Sequence, residues 1–137
     1  MTRKGLLMVV CGLWLMCGGL AADLDAADKR VELVLDASGS MMGRMPSGEL
    51  KITLAKEAVD KLVGCLDPNL DLAFRAYGHQ SHRDKKDCTD TELLVPFAAL
   101  EQNREKVRSA LKGITAQGFT PITYVLGLAA TDFPDTA

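Results

Sequence analysis

The sequence predicts an α/β domain in which strands and helices alternate around a central sheet. A short β-branched and leucine-rich run, Val31 to Leu35, has the composition of a strand buried on both faces of a parallel sheet. An amphipathic segment of helical period follows it, and a second apolar run rich in aromatic residues follows that. The chain has 137 residues, 47% of them hydrophobic and 25% charged, which suits one globular domain and excludes a disordered tail or a basic nucleic-acid binder.

Each element can be justified in order. Val31 to Leu35 forms the first strand. From Leu50 to Leu66, the apolar residues Ile52, Ala55, Val59, Leu62 and Leu66 recur at three and four, while Lys51, Lys56, Glu57, Asp60 and Lys61 take the other face, so this stretch reads as a helix. The "DPN" at 67–69 breaks it, and "LDLAFRAYG", Leu70 to Gly78, is the second strand. The charged "HQSHRDKKDCTD" reads as a surface loop, with "RDKKD" solvated, before a third strand at "TELLVPF". Pro96 there suits a strand end or a sheet edge. Asn103 is placed to cap a second helix with a buried stripe of Val107, Ala110, Leu111 and Ile114, and Gly113 to end it. Thr120 and Pro121 have the pattern of a helix cap and first helical position, opening a third helix in "ITYVLGLAATDF".

Residues 1–22 stand apart from this domain. Arg3 and Lys4 precede the uncharged "GLLMVVCGLWLMCGGL", and the small residues of "LAA" precede Asp23, the layout of a cleaved secretory signal. An uncleaved membrane anchor is the alternative. The organisation expected is a signal peptide over 1–22, a linker over 23–29 and the folded domain over 30–137. The signal carries two positive and no negative charges, so its removal takes the net charge from −2 to −4, and nucleic acid is not an expected partner. Export to a secreted or periplasmic location leaves Cys65 and Cys88 where a disulfide can persist. They either pair with each other or Cys65 is a buried small hydrophobe in its helix.

The chemistry concentrates in "VELVLDASGSMMG", residues 31–43. In an α/β sheet, ligands bind beyond the carboxyl ends of the strands, and Asp36 sits at such an end. Its spacing with Ser38 and Ser40, in a tight loop eased by Gly39, brings one carboxylate and two hydroxyls toward one point. These are hard-cation ligands. Magnesium takes about six oxygens at about 2.1 Å and keeps waters when few ligands are charged, leaving a position for an incoming oxygen.

The "DASGS" after an apolar strand resembles the DxSxS element of von Willebrand factor type A domains, in their metal-ion-dependent adhesion site. Thr120 and Pro121 in "GFTPIT" resemble the threonine element of the same family, and "YGH" at 77–79 with "DCTDTELLVPF" at 87–97 resembles its bacterial secreted members. The likeness covers about residues 30–137. It implies a Rossmann-like sandwich with a mostly parallel central sheet flanked by helices, and a bound Mg2+, or Mn2+ or Ca2+, held directly or through water by Asp36, Ser38, Ser40 and Thr120. An acidic side chain of a partner protein would complete the metal shell. The family's third element, an aspartate after the next buried strand, does not occur before Ala137, so the resemblance implies a domain truncated after the third helix.

The function expected is therefore an exported, metal-dependent protein-binding module and not an enzyme. The alternative is a metal-dependent hydrolase or phosphotransferase on a related α/β fold. A phosphotransferase of the haloacid-dehalogenase type would need a second aspartate where Ser38 stands, and the G-x-S-x-G elbow of serine hydrolases is not matched around Ser38 or Ser40. His79, His82 and Cys88 lack the tight paired spacing of a zinc site.

Overall fold

A computed structural model describes residues 29–134, so the signal segment and most of the linker expected from the sequence lie outside the described residues. The element order is β1 (Arg30–Asp36), α1 (Lys51–Cys65), β2 (Asp71–Tyr77), β3 (Thr91–Ala99), α2 (Leu100–Gly113) and α3 (Ile122–Asp132), with short 3-10 turns at Gly39–Met42 and Arg83–Lys85. The described strands form one sheet in the order β1-β2-β3. Strand β1 runs parallel to β2, in register from Arg30↔Asp71 to Asp36↔Tyr77, and β2 runs antiparallel to β3. The α/β class thus stands, but the mostly parallel sheet does not: among the described residues one strand pair is parallel and one antiparallel. The turn from β2 to β3 has no crossover helix, so the chain can only double back.

Strand alternation sends side chains to two different layers. Leu33, Leu35, Leu72, Phe74, Ala76 and Val95 face a core shared with Ile52 and Val63 of α1 and with Leu100, Val107 and Leu111 of α2. Phe74, Leu72, Leu100 and Val107 are fully buried, each contributing about 1.5–3 kcal/mol of hydrophobic stabilisation. Arg75, between two core residues, points the opposite way and meets Asp132 at the end of α3. Helix α3 therefore covers the second face, where Phe133 stacks against Phe97 with ring centroids 4.7 Å apart.

Three details depart from the sequence reading. In α1 the expected Leu62 is exposed and Val63 is fully buried, because Ile52, Val59, Val63 and Leu66 give the stripe that faces α2 and the sheet. Helix α2 starts at Leu100, upstream of Asn103. Asn103 is not a cap: completely buried, it donates from Nδ2 to the carbonyls of Leu72 and Pro96, both at 2.8 Å. The β2–β3 ladder is irregular around Phe74, and Pro96 interrupts the edge strand, so Asn103 satisfies carbonyls that the ladder leaves over. Finally, Cys65 and Cys88 are both free and exposed, so neither the disulfide nor the buried-thiol expectation holds.

Candidate metal centre

The parallel register ends β1 and β2 side by side, with Asp36 opposite Tyr77. The Tyr77 side chain is buried and hydrogen-bonded to the Asp36 carboxylate. Burial first, then the Asp36 charge and that hydrogen bond, push the Tyr77 hydroxyl above its ordinary value, so it remains a donor throughout the physiological range. One step beyond the strand, the Ala37 amide still donates to the Tyr77 carbonyl at 2.9 Å. The chain then turns: the Ser38 amide donates to Asp36 Oδ1 at 2.7 Å, an Asx-type turn that fixes the carboxylate at the strand end.

The 3-10 turn that follows brings Ser40 back beside Ser38. The two hydroxyls are hydrogen-bonded to each other, Oγ to Oγ at 3.0 Å, and the Ser38 side of the pair is almost fully buried. The two alternate hydroxyls thus lie on one side of the loop.

Two glycines bring the remaining loops into place. Gly78, at the end of β2, has φ +72°, and a Cβ there would lie 2.7 Å from the Phe119 carbonyl oxygen and 2.8 Å from the Ser38 amide nitrogen. No other residue fits that backbone or that space. Gly118 meets it from the opposite side, where a Cβ would lie 2.7 Å from Gly78 Cα and 2.8 Å from Asp90 Oδ2. Through this contact the Gly39 amide donates to the Gly118 carbonyl at 2.8 Å, and the Gly118 amide to the Gly78 carbonyl at 2.8 Å. Buried Asp90 locks the third side by accepting from the Gln80 amide at 3.1 Å and the Ser81 amide at 2.9 Å.

The result is a cleft of about 300 Å³ lined by Ser38, Gly39, Ser40, Gly118, Phe119 and Thr120, with Arg83 at its wall. Of the four residues singled out in the sequence, Ser38, Ser40 and Thr120 share this cleft. Asp36 is not in its lining and joins it through the Ser38 amide and Tyr77. Thr120 does not cap α3 as expected. The helix begins at Ile122 with Pro121 in the cap position, so the Thr120 side chain is spared from capping and lies on the cleft.

Sequence reasoning missed Tyr77, Arg83 and Asp90. The Asp36↔Tyr77 pairing could have been anticipated from the two strand ends; the positions of Arg83 and Asp90 depend on loop folding that carries no local signal. "RDKKD", read as solvated, is exposed from Arg83 to Lys86, and exposed Arg83 also borders the cleft.

A hard divalent cation fits this donor set. Two ligands at adjacent corners of an octahedron with metal–oxygen bonds of about 2.1 Å stand about 3.0 Å apart, and the two serine oxygens are 3.0 Å apart. A carboxylate has about four lone-pair positions, so accepting from Ser38 and Tyr77 leaves Asp36 capacity to face a cation or its bound water. Among the described residues no three His, Cys, Asp or Glu gather into a group that could hold a metal.

No family model matches the chain. Over 111 residues it is 28% identical to the uncharacterized protein YwmD of Bacillus subtilis (strain 168), a stretch covering 78% of this chain and 48% of YwmD. It is similar to the crystal structure of an uncharacterized membrane spanning protein from Vibrio fischeri, with a TM-score of 0.51 and 23% identity, over 78% of this chain and 50% of that one. The chain thus spans about half the length of each. The structural likeness supports the fold and carries no chemistry. Among the described residues, no helix is long and apolar enough to cross a membrane.

Proposed function

We propose that the protein is an exported binding module of the von Willebrand factor type A kind, in which a divalent cation at the Ser38–Ser40–Thr120 cleft engages an acidic side chain of a partner protein. The observation that carries this reading is the 3.0 Å separation of the two serine hydroxyl oxygens beside Asp36, at the carboxyl end of a parallel strand pair. Ser38, Ser40 and Thr120 would hold Mg2+, Mn2+ or Ca2+ directly or through water, with Asp36 supplying the negative charge. When bound, the cation supplies an open coordination position that attracts a carboxylate oxygen.

The chain's own residues set the rest. Tyr77 and the Ser38 amide orient Asp36, Gly78 and Gly118 hold the serine and threonine loops in contact, and Phe119 gives the cleft an apolar wall. Among the described residues that line the cleft there is no carboxylate or histidine to act as a general base, which favours binding over hydrolysis or phosphoryl transfer. A secreted or periplasmic location follows from the layout of residues 1–22, with an uncleaved N-terminal anchor as the alternative.

Calorimetric titration of Mn2+ or Mg2+ tests the reading. Asp36→Ala should weaken binding by about 100-fold or more, beyond what loss of a typical outer-shell partner costs. Ser38→Ala and Ser40→Ala should each cost about tenfold, because water replaces a neutral ligand, with Thr120→Ala equal or larger. Circular dichroism separates ligand loss from unfolding. Undiminished binding by folded Asp36→Ala would leave Asp36 a turn residue and end the adhesion-site assignment.

A further inference from the structure

The cleft carries one cationic side chain, and the proposed adhesion chemistry leaves it without a task. Arg83 lines the same cavity as Ser38, Ser40 and Thr120, and its Cδ would stand 3.7 Å from a Cβ placed on Gly39, so its stem passes over the loop that joins the two serines. Its backbone is fixed there: the Arg83 amide donates to the Gln117 carbonyl at 2.9 Å, and the Arg83 carbonyl accepts from Lys86, which has a left-handed φ of +51°. Among the described residues the Arg83 guanidinium has no hydrogen-bond or ion-pair partner, although the adjacent Asp84 is within reach of His82 at 3.0 Å. Arg83 is exposed, so its guanidinium stands in solvent at the cleft wall, open to an anion that enters the cleft.

Resting on the metal-site reading above, we propose that Arg83 is the second anchor for the partner's acidic side chain, taking the carboxylate oxygen that the cation does not take. A carboxylate has two oxygens and the metal's open position uses one. The guanidinium is a planar fork of N–H donors that matches carboxylate geometry. Half-exposed Phe119, on the same wall, suits the methylene stem of a glutamate or aspartate. The cleft would therefore select a carboxylate joined to an aliphatic chain, a stricter requirement than that of a metal with an open site alone.

The test uses Mn2+ and propionate, a carboxylate with a short apolar chain, on the protein and on Arg83→Gln and Arg83→Lys. Mn2+ affinity is read by calorimetry, and propionate binding by the paramagnetic broadening of its proton resonances. Expected is Mn2+ affinity in Arg83→Gln equal to or above that of the parent, since a positive neighbour is removed, with propionate weakened by about tenfold. Arg83→Lys should fall between, because an ammonium keeps the charge and loses the fork. Propionate bound equally well by parent and Arg83→Gln, with Mn2+ bound in both, would overturn the Arg83 assignment and leave the metal site standing. Tighter Mn2+ with unchanged propionate would overturn it too, making Arg83 a mere stand-in charge. A parent that binds no Mn2+ would sink the metal reading itself, and the Arg83 role with it.

Discussion

Two buried polar clusters lie on this small sheet, one at its carboxyl end and one at its middle, and they are built on opposite principles. At the end, Asp90 is buried and accepts from the Gln80 and Ser81 amides, while Asp36 accepts from the Ser38 amide and Tyr77. At the middle, Glu32, Arg75 and Asp132 meet on the α3 face. Arg75 Nε lies 3.1 Å from Glu32 Oε1 and 3.0 Å from Asp132 Oδ2, and Arg75 Nη1 donates to Thr91 Oγ1 at 3.3 Å. The first cluster spends carboxylates on backbone amides and so fixes loop shape. The second sets two carboxyl groups against one guanidinium in a buried place, where burial and the Asp132 charge keep Glu32 protonated more readily than usual. Burial alone thus does not tell what a buried acid does for the fold; the partner type does, because amides hold a loop in one geometry while a shared arginine ties two elements together.

The sharpest way to break the comparison is to remove the space that the loop cluster requires. Gly78→Ala puts a methyl group within 2.8 Å of the Ser38 backbone and of the Phe119 carbonyl, at a backbone angle that disfavours any side chain. Strain and overpacking together should cost about 4 kcal/mol, and Mn2+ binding should be lost with the cleft even in whatever fraction stays folded. Urea unfolding with parallel calorimetry checks this. A variant that keeps both stability and metal affinity would show that the three loops are not held by this contact.

The second cluster is tested by taking away its cation. Arg75→Leu leaves Glu32 and Asp132 facing each other, both side chains largely buried, and should cost about 3 kcal/mol at neutral pH. Because none of Glu32, Arg75 and Asp132 lines the cleft, metal affinity in the folded fraction should hold. If Mn2+ binding fell in step with stability, the two clusters would be one cooperative unit.

These two regions were not equally legible in the sequence. Asp36, Ser38 and Ser40 lie within five residues, so the strand that ends at Asp36 and the loop after it show their arrangement directly, and Thr120 stands out through its "TP" context. The triad was not legible, because Glu32, Arg75 and Asp132 come from β1, β2 and α3 and share no local pattern. Only the register Val31↔Leu72 to Val34↔Arg75, together with the docking of α3, brings them together. Asn103 failed for a related reason. A buried amide that satisfies carbonyls of an irregular edge strand looks, in sequence, like a helix cap, since both tasks ask for a short polar side chain near a helix start. Arg83 is exposed, as a solvated charged run predicts, and its place on the cleft wall was not legible because it depends on a long-range backbone bond to Gln117.

The smallest expected effect is also the one that separates the clusters by pH. Burial foremost, then the charge and hydrogen bond of Asp132, push Glu32 up to about 7 against the opposing pull of Arg75. An acid whose folded value lies above its unfolded one binds more protons in the folded state, so this group favours folding most at low pH. Its contribution declines as pH climbs from about 4.5 through about 7, and above that range Glu32 is a charged and destabilising member of the triad. Glu32→Gln removes that ionisation while keeping an oxygen for Arg75 Nε and an amide that can donate to Asp132. At pH 8 the variant should be more stable than the parent by about 1 kcal/mol, a discounted figure because the three groups titrate together. At pH 5 the difference should vanish or reverse. Urea midpoints measured at half-unit steps from pH 4.5 to 8 would show the parent losing stability over a window in which Glu32→Gln stays flatter. A parent and variant that run parallel across that window would mean that Arg75 fully compensates Glu32, and that the middle cluster is as well satisfied as the one at the strand ends.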